Sequence, residues 1–152
     1  MRIEINNTTA IPVEEKFLKG IVEKIFRSES KKGGNLSIAF IGEKRMRSLN
    51  KKYRGKDRAT DVLSFSQSGK IPAAIENKLE EEIIICLQAV KRNAARYNST
   101  FKRELARVLI HGVLHLLGYD HEKSQKAAEE MRKKEDYYLS AVFKKRKAKK
   151  TK

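Results

Sequence analysis

The run Phe101-Lys102-Arg103-Glu104-Leu105-Ala106-Arg107-Val108-Leu109-Ile110-His111-Gly112-Val113-Leu114-His115-Leu116-Leu117 places apolar residues on almost every side of a helix. A helix of that kind belongs in the middle of a protein, with other elements packed around it. Asn98-Ser99-Thr100 in front of it can supply an N-cap. Gly118 behind it suits a C-cap, because glycine takes the left-handed conformation without penalty. Extended through Tyr119-Asp120-His121, the stretch contains all three histidines of the chain. His111 and His115 are four apart and share one helix face. A turn at Gly118 can bring His121 back toward them. Three converging imidazoles are what an open zinc site needs, with a fourth position left for water or substrate.

Working outward, the flanking segments alternate between strand and helix patterns. Residues Arg2 to Asn6 read as a short strand. From Pro12, the residues Val13, Phe17, Leu18, Ile21, Val22, Ile25 and Phe26 recur at helical spacing. Leu36 to Ile41 alternates and is rich in strand formers. Glu43 to Tyr53 reads as a short helix with Met46, Leu49 and Tyr53 inward, and Asp61 to Ser66 as a strand. Residues 67 to 79 read as a loop. Glu82 to Leu87 is the most apolar strand-like run and predicts a central strand. Gln88 to Tyr97 is helical, and a last helix spans about Ser124 to Phe143, with Met131, Tyr138, Leu139, Val142 and Phe143 as its inner stripe. Interleaved elements of this kind predict a small α/β or α+β sandwich of about four strands covered by helices. Residues 1 to 143 form one domain, and 144 to 152 an almost wholly basic tail.

Composition narrows the classes of function. The 152 residues suffice for one domain with a real core. A formal charge of +16, from 35 Lys+Arg against 19 Asp+Glu, favours a polyanionic partner. Nucleic acid is the simplest, an anionic membrane surface the alternative, and charge alone does not separate RNA from DNA. The first residues carry an acidic group and no long apolar run, unlike a secretory signal. No run approaches the ~20 apolar residues of a membrane span. The single cysteine, Cys86, cannot form an internal disulfide, which fits a reducing compartment and a cytoplasmic protein.

The histidine spacing, His-x3-His-x5-His with a glycine between the second and third, equals that of metzincin proteases. Those enzymes carry a glutamate general base directly after the first histidine. Here that position is Gly112, and the peptidase reading loses its base. A closed, structural site would need a fourth protein ligand. Cys86 is a candidate, although a cysteine in an apolar strand is more often a core residue. Asp120 can act from behind the ligands or fix the loop. A zinc on three neutral imidazoles suits phosphodiester chemistry, which also needs cations for charge developing on phosphate. The segment Arg54-Gly55-Lys56-Asp57-Arg58 can supply them, or it can be an ordinary solvated basic loop.

At these residues the chain resembles the YbeY family, bacterial rRNA maturation factors and single-strand-specific endoribonucleases. The histidine signature reads His111-Gly112-Val113-Leu114-His115-Leu116-Leu117-Gly118-Tyr119-Asp120-His121. The upstream signature reads Leu49-Asn50-Lys51-Lys52-Tyr53-Arg54-Gly55-Lys56-Asp57-Arg58-Ala59-Thr60-Asp61-Val62-Leu63-Ser64-Phe65. A strand motif corresponds to Glu81-Glu82-Ile83-Ile84-Ile85-Cys86, and the resemblance covers roughly residues 1 to 140. It implies an α+β fold with a mixed sheet flanked by helices. It implies one Zn2+ per chain on His111, His115 and His121, and Arg54 beside a basic cleft for RNA, to which Lys56 and Arg58 add. It also implies a role in 3′-end maturation of small-subunit rRNA and in ribosome quality control. The small ribosomal subunit and the Era GTPase would be partners. Two positions depart from the pattern. Glu81 replaces a glycine and is expected to add negative charge near the cleft, and Ala59 replaces a proline. The basic tail lies outside the pattern and either strengthens rRNA affinity or keeps the chain soluble.

No residue is singled out as general base: a metal-activated water, Asp61 and the substrate's own 2′-hydroxyl each fit. The competing reading is an RNA-binding ribosome-assembly factor in which zinc is mainly structural.

Overall fold

The structure is a computed structural model, and it describes residues 1–66 and 81–144. The loop expected at 67–79 and nearly all of the basic tail lie outside the described residues. In chain order the elements are β1 (Arg2–Asn7), α1 (Glu15–Ser28), β2 (Asn35–Ile41), α2 (Glu43–Arg54), β3 (Val62–Phe65), β4 (Glu81–Cys86), α3 (Leu87–Arg96), α4 (Phe101–Leu116) and α5 (Gln125–Val142). The α+β class and the four-stranded mixed sheet expected from the sequence are what the chain adopts. Each expected element lies within a residue or two of its pattern. The exception in kind is Leu87, read as the end of a strand, which instead opens α3.

The sheet runs β1-β2-β4-β3. β1, β2 and β4 are parallel, and β3 joins β4 antiparallel at the edge. β4 is therefore interior, as its apolar run predicts. Both faces of β4 are covered, and its side chains divide strictly between them. Ile83 and Ile85 join the main core with α1, α4 and α5, while Ile84 and Cys86 join a smaller cluster with Ile41, Met46, Leu63 and Ala89 under α2. The register Val62↔Ile85 and Ser64↔Ile83 sets Val62 and Ser64 on the α4 side.

α4 is the hub. It packs against α1, α3, α5, β3 and β4, and Leu105, Ala106, Leu109, Ile110, Val113 and Leu114 are buried along it. Thr100 caps its start, accepting from the Arg103 amide at 3.0 Å. Its contact with the sheet is close at Gly112, where a Cβ would stand 3.2 Å from Ser64 Oγ and 3.3 Å from Ile83 Cγ2. Ser64 Oγ donates to the Gly112 carbonyl at 3.2 Å across this contact. The residue that looked like an absent catalytic glutamate is thus where the helix meets the sheet, and a long side chain has no room there.

Candidate metal centre

α4 ends in a turn that its own sequence closes. The Gly118 amide donates to His115 O at 3.1 Å, and the Tyr119 amide donates to Leu114 O at 3.1 Å. This is the Schellman pattern, which requires a positive φ at the glycine; Gly118 has φ +105°. The chain reverses and brings His121 back over the last turn of α4. The pairs of imidazole rings among His111, His115 and His121 have centroids 5.1–5.4 Å apart. One ligand atom from each lies within 4.8 Å of the others. The three predicted metal ligands are brought together as expected.

Two nitrogens bound to one tetrahedral zinc lie about 3.4 Å apart, given bonds of roughly 2.0–2.1 Å. Modest closing of the triangle would seat an ion, and His121 is exposed enough to make that movement. Burial, followed by the nearby His111 and His121, holds the His115 pKa below the ordinary histidine value. A neutral imidazole is the form that ligates. The donor set therefore fits a divalent metal with a position left open. Cys86 is not the fourth ligand, because it is buried in the small cluster under α2. Asp120 fixes the loop, its Oδ1 accepting from the Glu122 amide at 3.0 Å.

Behind His111 stands a group that the sequence reading missed. Glu135 of α5 places Oε2 against His111 Nδ1 in a short hydrogen-bonding contact. Its side chain is only 13% exposed, though it sits in a run of charged residues that reads as solvated.

The histidines open into a cavity of about 250 Å³. Arg54, Lys56 and Arg58 line it with Asn50, Thr60, Asp61, Ser64 and Glu122. The three predicted cations thus face the predicted ligands. The segment that carries them is held in place. Asn50 is buried and donates to Arg58 O at 2.8 Å, and Asp57 pairs with Arg47 at 2.7 Å. Arg54 ends α2, and its Nη2 lies 3.8 Å from Glu122 Oε2. Both partners are well exposed, so this pair is weak and opens readily. Asp61 lies at the inner wall. Burial raises its carboxyl above the usual aspartate range, despite the opposing pull of His111 and Arg107. Glu81, expected to load the cleft with negative charge, opens β4 and is not among the lining residues.

Comparison with known proteins bears on the family and the fold. A sequence profile described as endoribonuclease YbeY matches residues 3–142. A protein named endoribonuclease YbeY from Thermodesulfovibrio yellowstonii is 42% identical over 133 residues, covering 81% of this chain and 82% of its own length. Another of that name from Chlorobium luteolum is 34% identical and covers 94% of this chain and 99% of its own. A solution structure of a Thermotoga maritima protein superposes with a TM-score of 0.62 at 34% identity, covering 93% of this chain and 89% of that one.

Proposed function

The chain belongs to the YbeY endoribonuclease family, and from that premise we propose that it is a zinc-dependent endoribonuclease cleaving single-stranded rRNA. Its place would be in 3′-end maturation of small-subunit rRNA and in ribosome quality control, in the cytoplasm, with the small ribosomal subunit and the Era GTPase as partners. Among the described residues, no helix is long and apolar enough to cross a membrane. The observation that carries the reading is one cavity holding a metal-competent triad and three cations together.

His111, His115 and His121 would hold the zinc. Such an ion lowers the pKa of a bound water and polarises a phosphoryl oxygen. The residues of the chain do the rest. Arg54 swings from Glu122 onto a phosphate oxygen, a short exchange of one anion for another. Lys56 and Arg58 hold neighbouring backbone phosphates on the rigid segment after α2. Asp61, which lines the same cavity and has its carboxyl raised by burial, would accept a proton from the attacking hydroxyl. That hydroxyl is water or the substrate 2′-hydroxyl. Equal cleavage at a 2′-deoxy site would exclude the second.

The alternative of a mainly structural zinc has less to explain. The exit turn is already closed by the Gly118 and Tyr119 amides, so zinc is not needed to shape it. The test is metal content and single-stranded RNA cleavage, measured side by side for wild type, His111→Ala and Arg54→Glu. The expected result is loss of metal and cleavage in the first variant. In the second, metal is kept and cleavage falls by about 10²–10³-fold. Full cleavage by Arg54→Glu would sink the phosphate-clamp role. Wild-type activity that stays with contaminants through purification would favour the assembly factor.

A further inference from the structure

His111 is the one histidine among the described residues with a carboxylate at hydrogen-bonding distance. That carboxylate comes from Glu135, 24 residues downstream on a different helix. The contact occupies Nδ1, which leaves Nε2 as the atom free to face His115 and His121. We propose that Glu135 is a positioning residue for the metal centre, holding His111 in the Nδ1–H tautomer with its ring fixed for ligation through Nε2. The inference rests on the metal reading given above. A carboxylate on the far nitrogen of a ligating imidazole fixes the ring and makes the other nitrogen a stronger donor.

The surroundings make this contact a built feature. α5 is capped by Ser124, whose hydroxyl accepts from the Ala127 amide at 3.0 Å. It is seated in the core through Met131, Tyr138 and Leu139. One residue before Glu135 and three after it, Lys134 and Tyr138 bond to Glu29 at the end of α1. Glu135 is therefore presented by a helix anchored on either side of it, with little freedom to swing away. The nearby cation that could compete for it is Arg107, one turn before His111 on α4. Arg107 is already engaged by both oxygens of the buried Glu104, at 3.2 and 2.8 Å. Glu135 is left to the imidazole.

The test uses the full chain stripped of metal and titrated with Zn2+ against a chromophoric chelator, with Co2+ spectra in parallel. Glu135→Ala is expected to weaken zinc binding by about 10–100-fold and to alter the Co2+ ligand-field bands, with the metal-free melting temperature little changed. Glu135→Gln, whose amide oxygen still accepts from Nδ1–H, is expected to recover part of the loss. If Glu135→Ala fails to fold, the isosteric Glu135→Gln decides, with reduced affinity and altered Co2+ bands expected. Zinc affinity within twofold of wild type and unchanged Co2+ bands in the folded variants would overturn the inference. So would a loss of affinity matched by an equal loss of metal-free stability with unchanged Co2+ bands, which marks a scaffold residue. Wild type that binds zinc no better than His115→Ala would instead overturn the metal reading itself.

Discussion

Two polar clusters flank the turn after α4, and they are built on opposite plans. On one side, Tyr119, Tyr138 and Lys134 all donate to the single carboxylate of Glu29, at 2.9, 2.5 and 2.9 Å. Every group finds its partner inside the protein, and the knot ties α1, the turn and α5 together. On the other side, two residues along the chain, His121 joins His111 and His115. Their ligand atoms converge on one point and open into a cavity. A closed polar cluster serves the fold. A convergent one left open to a cavity waits for something from outside.

Breaking the open cluster should have the largest effect on function and a small one on folding. His115→Ala is expected to lower both zinc affinity and RNA cleavage by at least about 100-fold, the upper range for removing only a supporting partner of a ligand. Thermal unfolding of the metal-free variant should stay close to wild type. A variant that unfolds instead would erase the distinction between the clusters.

Breaking the closed cluster should do the reverse. Glu29→Ala leaves two phenols without their acceptor, while the exposed Lys134 ammonium turns to water, and should cost about 2 kcal/mol of stability, read from denaturant midpoints. Zinc affinity and cleavage should survive below the melting temperature. The pH dependence follows from the same carboxylate. Burial pushes its pKa up, but the hydrogen bonds from Tyr138, Lys134 and Tyr119 outweigh that, and it ends below the ordinary value of 4.5. A depressed carboxylate stabilises the fold above its unfolded pKa and loses that contribution as pH falls through the folded one. Glu29→Gln should therefore flatten the stability profile below about pH 4.5. An unchanged acid limb would show that the knot carries no charge.

The smallest effect tests the turn between the clusters. Gly118→Ala forces a Cβ into a positive φ and should cost about 1–2 kcal/mol. If zinc affinity falls as well, the turn transmits strain to His121; if only stability falls, the closed cluster absorbs it.

Much of this was legible in the sequence, because periodicity and ligand spacing are local signals. The amphipathic pattern of α1, the apolar run of β4 and the histidine repeat each announced an element or a function. What escaped depends on separations that no local pattern carries. Glu135 and Glu29 lie in charged runs and become largely covered only when α5 packs against α1 and α4. That β4 is interior was legible, but its neighbours β2 and β3 follow from a crossover that strand composition does not encode. Gly112 was legible in part. Its lack of a glutamate side chain removes the peptidase reading from the sequence alone, whereas the close approach of Ser64 and Ile83, on strands distant in sequence, emerges only in the fold.

The loose pairing of Arg54 with Glu122 has a consequence for how an anionic strand would bind. When a cationic side chain neutralises a phosphate, a cation condensed on the nucleic acid is released to the solvent, and that release makes binding weaken steeply with added salt. Arg54 already carries an anion belonging to the protein. Its encounter with a phosphate is therefore an exchange of partners, and it frees the Glu122 carboxylate as well as a cation from the nucleic acid. Arg54 would then add less to the salt sensitivity of binding than Lys56 or Arg58, because the freed carboxylate draws back part of the cation that the phosphate gives up.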